Sequence, residues 1–229
     1  MIEFLFLDLD DTILDFKMAE RTAIPKTLSA FGITVTEELL QRYHAINKTC
    51  WEMLERGEIT RAQVGTQRFA QLFAQEGVEG DPEACNELYL KNLAIGHYFL
   101  PGAQETVQRL SKKYRLYIAS NGTASVQEGR MTSANLYPYF EKVFVSQDLG
   151  ANKPAKEFFE RSFAQIPEFD LKKAMIVGDS LTSDILGGIN AGIATCWVNP
   201  GHKPGKPEIQ PDYEIESLAQ LEELLETLK

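Results

Sequence analysis

The segment Phe4-Leu5-Phe6-Leu7 restricts the fold more than any other stretch of the chain. Four consecutive apolar residues without polar alternation predict a strand buried on both faces. The run leads directly into Asp8-Leu9-Asp10-Asp11-Thr12, so the greatest charge density of the chain falls at the C-terminal end of a buried strand. In open parallel α/β sheets ligands bind at that edge, and two acids one residue apart can play different parts there. Three crowded carboxylates repel one another, and a hard divalent cation with oxygen ligands, foremost Mg²⁺, is the natural compensation. The same Asp-Asp-Thr also suits a turn and a helix N-cap.

Beyond residue 98 helix and strand patterns alternate. Residues 115–119, 142–145, 174–177 and 194–198 predict strands. Residues 103–113, 125–134, 156–165, 183–191 and 216–228 predict helices, and a Pro/Gly-rich loop spans 199–211. Repeated β-α-β units with apolar strands predict an α/β fold with a doubly wound parallel sheet that includes the first strand. From Met18 to about His97 every periodic stretch is helical instead, over 19–31, 37–56, 61–76 and 82–93, with breaks at Gly32, Gly57, Gly77 and Gly80. This predicts a helical insert of four to five helices, with Thr60 and Asp81 as N-caps and Pro82 at a first helical position. Tyr43, Trp51, Met53, Phe69 and Phe73 are expected in its core. The expected domains are therefore a catalytic core of 1–16 and 98–229 and a helical cap of 17–97.

Charge narrows the function classes. The 229 residues carry 33 acids against 23 Lys and Arg, a formal net charge of −10, which argues against a nucleic acid polymer as partner. A small anionic substrate remains compatible where cations concentrate locally. Cys50, Cys85 and Cys196 lie far apart without C-x-x-C spacing and are expected to be reduced, small buried side chains. No apolar run approaches the roughly 20 residues of a membrane span, and the N-terminus enters a strand at once, so a cytoplasmic protein without a signal peptide or membrane partner is expected. His44, His97 and His202 fall on three different elements and form no ligand set.

Three later strand ends carry polar groups. Ser120-Asn121-Gly122 offers a hydroxyl, an amide and backbone N–H groups suited to an anionic oxygen, although it is also an ordinary turn. Asn152-Lys153-Pro154 sets a lysine before a helix, with Pro154 fitting its first position; a loop lysine is otherwise a solvated one. Gly178-Asp179-Ser180 ends another buried strand in an acid, with Ser183-Asp184 following at a helix start and Gly187-Gly188 permitting close packing. If these clusters share one sheet edge with Asp8 and Asp10, they form a basin of acids, a hydroxyl-amide pair and one lysine. Phosphoryl transfer through a carboxylate needs such a set, because a cation must bridge the two anions and donors must hold the equatorial oxygens.

The ordered motifs Asp8-Leu9-Asp10-Asp11-Thr12, Ser120-Asn121-Gly122, Lys153-Pro154 and Gly178-Asp179-Ser180 with Asp184 resemble those of the haloacid dehalogenase superfamily of phosphohydrolases with a helical (C1) cap on a Rossmann-like core. The resemblance spans essentially the whole chain and implies a role for each residue. Asp8 would be the nucleophile that forms an aspartyl-phosphate, and Asp10 the general acid and then base. Mg²⁺ would be held by Asp8, the backbone carbonyl of Asp10, and Asp179. Ser120, the Asn121 amide region, Gly122 and Lys153 would clamp the phosphoryl oxygens. Thr12 would help position Asp10, and Asp184, with Ser180 beside it, would orient Lys153 or a metal-bound water. Ser120 stands where many relatives have threonine, and the hydroxyl is retained. The tail Thr195-Cys196-Trp197-Val198-Asn199-Pro200, with Pro207-Glu208-Ile209 and Pro211-Asp212-Tyr213-Glu214-Ile215, further resembles the branch acting on pyrimidine nucleoside monophosphates such as dUMP, UMP and dTMP. The insert is then expected to act as a lid hinged near 15–17 and 98–101, in a monomer or homodimer acting on a small phosphorylated metabolite.

Four rivals are weighed against this reading. A sugar-phosphate phosphatase or phosphomutase of the same superfamily shares all the motifs. A receiver-like signalling module would be much shorter, with its acceptor Asp after the third strand, where this chain has Val145-Ser146. A true dehalogenase does not need an acid at Asp10, and an inactive binding protein on the same scaffold would not need the complete set of side chains.

Overall fold

The computed structural model describes residues 1–228, Glu55 by its backbone alone; Lys229, the last residue of the expected core, lies outside the described residues. Strands β1 (Phe4–Leu7), β2 (Arg115–Ser120), β3 (Lys142–Val145), β4 (Ala174–Gly178), β5 (Ala194–Val198) and β6 (Tyr213–Ile215) form one sheet, ordered β3-β2-β1-β4-β5-β6. Every pairing is parallel. From β1 the chain builds outward through β2 to β3, then returns to β4 on the other side of β1. The strand order therefore reverses at β1, and the crevice at the C-terminal ends of β2, β1 and β4 is where such sheets bind ligands.

The alternation of Phe4, Leu5, Phe6 and Leu7 supplies both faces of the sheet. Leu5 and Leu7 pack with Leu116, Ile118, Met175 and Val177 beneath α5 (Ala103–Leu110), α6 (Ala124–Ser133) and α10 (Leu221–Thr227). Phe4 and Phe6 pack on the opposite side with Tyr117, Phe144 and Ile176 against Phe158 and Phe159 of α8 (Lys156–Phe163). All four β1 side chains are fully buried, at about 1.5–3 kcal/mol each for large apolar groups. Helix α9 (Leu186–Ala191) lies close on the sheet because Gly187 and Gly188 lack side chains. A Cβ on Gly188 would meet the Ile176 and Thr195 methyl groups, and one on Gly187 the Phe159 ring.

Several local expectations need correction. Strand β6 was not anticipated: its three residues are too few to show a pattern, and side chains dock it. Thr195 donates through N and Oγ1 to Asp212 Oδ2 at 2.8 and 2.9 Å, and Asn199 Nδ2 donates to Glu214 Oε1 at 2.7 Å. The single-turn α7 (Ser146–Leu149) follows β3 directly and ends at Gly150, whose φ of +65° is left-handed. Pro154 does not open α8. Ala155 remains extended (φ −61°, ψ 135°), so the helix starts only at Lys156. Residues Leu181–Ile185 form a π-type turn before α9, with Ile185 N donating to Ser180 O at 3.1 Å.

Helices α1 (Phe16–Ala30), α2 (Glu37–Glu55), α3 (Arg61–Glu76) and α4 (Pro82–Leu93) belong to the insert. The chain divides into a sheet unit, residues 1–16 with 97–228, and a helical unit, Lys17–Gly96. Helix α1 starts earlier than its apolar pattern because Asp11 Oδ1 accepts from Phe16 N at 3.0 Å. Thr60 forms a capping box with Gln63, and Asp81 caps α4 with Pro82 behind it. Tyr43, Phe69 and Tyr89 interlock in the helical unit with centroids 5.6–6.0 Å apart. Trp51 and Met53, expected in that core, are only half-buried; Trp51 instead carries the Arg61 guanidinium 5.5 Å from its ring. Beside the aromatic cluster runs a buried polar network. Glu20 accepts from Asn47 (2.8 Å) and Tyr89 (3.2 Å), and Arg68 donates to Asn47 (3.1 Å) and Asn86 (2.7 Å).

Where the chain leaves and re-enters the sheet unit, its two crossings are stitched together. Leu14 and Phe99 form an antiparallel bridge, Asp15 N donates to Tyr98 O at 2.7 Å, and Leu100 N donates to Ile13 O at 3.0 Å.

Candidate active site

Strands β1, β2 and β4 end at the same edge, and each delivers its polar motif there. Directly after β1, Asp8 N donates to Val177 O of β4 at 2.9 Å, which fixes the start of the acidic loop. Asp11 then adopts a left-handed φ of +56° and spends its carboxylate on the start of α1. The capping role that Asp-Asp-Thr suggested thus falls to Asp11, not to Asp10.

One carboxylate oxygen each from Asp8, Asp179 and Asp184 lies within 4.8 Å of the others. Lys153 reaches into this group from the loop before α8. Its Nζ donates to Asp8 Oδ1 at 2.7 Å, to Asp184 Oδ1 at 2.5 Å and to Ala119 O at 2.5 Å. At 1% exposure this is not the solvated loop lysine that sequence leaves open. Burial pulls its ammonium down, but Asp184 and Asp8 outweigh that effect and hold it above the ordinary lysine value. Asp184 Oδ2 accepts from Ser180 N at 3.0 Å, so both Asp184 oxygens are engaged. Gly178 is required by this approach, because a Cβ there would overlap the Asp184 carboxylate.

Burial pushes the Asp179 carboxyl up to about 7, with Asp184 and Asp11 adding to it. Burial likewise pushes Asp8 well above the ordinary carboxylate range, opposed by Lys153 and reinforced by Asp184, Asp10 and Asp179. One ammonium among this many carboxylates leaves negative charge uncompensated. The donors are all oxygens and sit close enough to share one ion, so the set fits a hard divalent cation of the Mg²⁺ kind.

The Ser120-Asn121-Gly122 motif holds the loops as much as it offers donors. Asn121 Nδ2 donates to Lys153 O at 2.8 Å and its Oδ1 accepts from Lys153 N at 2.8 Å, so the side-chain amide, expected in a phosphate clamp, instead anchors the peptide carrying Lys153. Ser120 Oγ accepts from Gly122 N at 3.0 Å. Asp10 is not held by Thr12, contrary to the sequence-based expectation. The Thr12 hydroxyl is fully buried and makes no hydrogen bond among the described residues, whereas Asp10 Oδ2 accepts from Gln127 Nε2 at 2.7 Å and Asp10 Oδ1 pairs with Arg130 Nη1. Because the Asp10 side chain turns toward α6, it stands outside the Asp8, Asp179 and Asp184 group, and any part of Asp10 in metal binding falls to its backbone.

The haloacid dehalogenase-like hydrolase family model matches residues 2–192. The chain belongs to the haloacid dehalogenase-like hydrolases. Its similarity to the solved structure of the HAD-hydrolase YfnB from Bacillus subtilis, bound to magnesium, extends over 98% of both chains at 40% identity and a TM-score of 0.94. The pyrimidine 5′-nucleotidase PynA of Streptococcus pneumoniae is 38% identical over 98% of this chain and 95% of its own. The pyrimidine 5′-nucleotidase YjjG of Escherichia coli is 33% identical over 97% of each. Within this haloacid dehalogenase-like hydrolase, Gln127 and Arg130 are the polar residues at the site that sequence reasoning did not find. A glutamine and an arginine one turn apart on a helix look like solvated surface, and only the packing of α6 on the sheet buries them.

Proposed function

We propose that this protein is a Mg²⁺-dependent phosphatase that hydrolyses pyrimidine nucleoside 5′-monophosphates through an aspartyl-phosphate on Asp8. The observation carrying the reaction class is the convergence of Asp8, Asp179 and Asp184 within 4.8 Å, with Lys153 hydrogen-bonded to Asp8. The substrate class rests on the pyrimidine 5′-nucleotidases PynA and YjjG, and the metal on the magnesium of YfnB.

Asp8 and Asp179, with the Asp10 backbone carbonyl, would hold the cation. Asp184, with both oxygens already engaged, is suited to orienting Lys153. A cation bound there neutralises the repulsion between a carboxylate nucleophile and a phosphate dianion. An Asp8 oxygen attacks phosphorus as the ester P–O bond breaks, and the departing nucleoside oxygen takes a proton from Asp10. Water then attacks the acyl phosphate while Asp10 takes the proton back, releasing phosphate and restoring Asp8. Ser120 supplies a donor for the phosphoryl oxygens as charge spreads over them, and Lys153, already bonded to Asp8 and Asp184, adds its positive charge, while the Gly122 N–H is given to Ser120 Oγ. The helical unit serves as a lid in the same reading, supported by the interdomain movement of YfnB.

The test is phosphate release from UMP, dUMP, dTMP, purine nucleotides and sugar phosphates, with Mg²⁺ and with chelator. Pyrimidine nucleotides should be preferred, chelation should silence the enzyme and Mg²⁺ should restore it. Asp8→Asn should abolish turnover while far-UV circular dichroism stays unchanged. Undiminished activity in that variant overturns the mechanism, and a preference for sugar phosphates overturns the substrate class.

A further inference from the structure

Helix α6 contributes two buried polar side chains that neither nucleophile nor metal requires. Gln127 is 1% exposed and Arg130 fully buried, and they lie at i and i+3, on one face of the helix. Gln127 Nε2 donates both to Asp10 Oδ2 at 2.7 Å and to Ser120 Oγ at 2.8 Å. Arg130 Nη1 pairs with the other Asp10 oxygen, and its guanidinium lies 5.7 Å from the Phe16 ring. A buried guanidinium is strongly unfavourable unless it is paired, so its placement ties the Asp10 carboxylate to α6.

We propose that Gln127 and Arg130 are positioning residues: together they fix the Asp10 carboxyl for proton transfer, and Gln127 also sets the direction in which the Ser120 hydroxyl donates. The inference rests on the phosphatase reading above. Each Asp10 oxygen receives a donor from the same helix, which fixes the plane of the carboxyl group. Its side chain remains 28% exposed, leaving a side open to a leaving group. A hydroxyl has one donor and two acceptor sites. Gly122 N and Gln127 Nε2 occupy both acceptor sites of Ser120, so its proton is directed to a third partner. At this sheet edge that partner is a phosphoryl oxygen. The motif's own glycine admits the arrangement, since a Cβ at Gly122 would overlap the Gln127 amide.

The experiment measures kcat/KM for UMP and for p-nitrophenyl phosphate, which departs without needing a proton, in Arg130→Met and Gln127→Met. Arg130→Met should lower kcat/KM for UMP by about 10–100-fold, part of the range for lost acid–base help, and for p-nitrophenyl phosphate by less than about 3-fold. It should cost nothing further on an Asp10→Asn background. Gln127→Met should lower both substrates, and the loss on p-nitrophenyl phosphate should vanish on a Ser120→Ala background. Equal losses of Arg130→Met on the two esters, or losses that multiply in full with Asp10→Asn, overturn the role at Asp10. If Arg130→Met does not fold, the Gln127→Met cycle with Ser120→Ala decides: undiminished loss there overturns the proposal. A wild-type protein that hydrolyses neither ester removes the function reading and this inference together, a result distinct from an active enzyme with indifferent variants.

Discussion

Asp179 gathers the electrostatic tension of the site in one side chain. Its carboxyl, at 3.8 when unperturbed, is pushed up to about 7, chiefly by burial. Without a cation the folded state keeps a proton that the unfolded chain releases near pH 4. The stability tied to this group is therefore present at low pH and falls as pH rises toward 7, by up to about 4 kcal/mol. In chelator, Asp179→Asn should match the wild type near pH 4.5 and melt higher than it at pH 7.5; with Mg²⁺ present the order should reverse. Equal melting temperatures in chelator at pH 7.5 would refute this account. The acids themselves were legible in the sequence, since a carboxylate closing an apolar strand has few structural reasons to be there. The partners of Asp10 were not: nothing in the spacing of Gln127 and Arg130 separates a buried pair from a wet one, and Thr12 was the nearer candidate.

Among the elements, α9 shows how close backbone approach builds the site. Gly188 lies over Ile176 and Thr195, with a hypothetical Cβ 2.6 Å from the Thr195 methyl. Gly188→Val should cost about 1–3 kcal/mol in urea denaturation at unchanged m-value, the usual range for overpacking a filled core. A neutral effect would show that the helix can shift outward. Long apolar strands such as β1 and β4 were readable because burial on both faces leaves an unbroken hydrophobic run. Strand β6 and helix α7 were not, because three or four residues carry no period, and what holds β6 is a set of side-chain hydrogen bonds from Thr195 and Asn199 rather than its own composition.

At the scale of the whole molecule, the two units draw on different physics. The sheet unit is fastened by apolar layers on both faces, whereas the helical unit encloses Arg68, 4% exposed, with Glu20, Asn47 and Asn86. Arg68→Met should destabilise the helical unit by about 1–3 kcal/mol, because the Asn47 and Asn86 side-chain oxygens would lose their buried donor. Hydrogen exchange should then quicken in α2, α3 and α4 before it quickens in the strands; uniform quickening would refute the assignment. The seam formed by Leu14 with Phe99 and by Ile13 with Leu100 adds a consequence for engineering. Because the two ends of the 17–96 excursion emerge side by side from an already hydrogen-bonded ladder, a brief reverse turn between residues 16 and 97 should close the chain with that ladder and the sheet intact, which the thermal melting of the shortened chain would check.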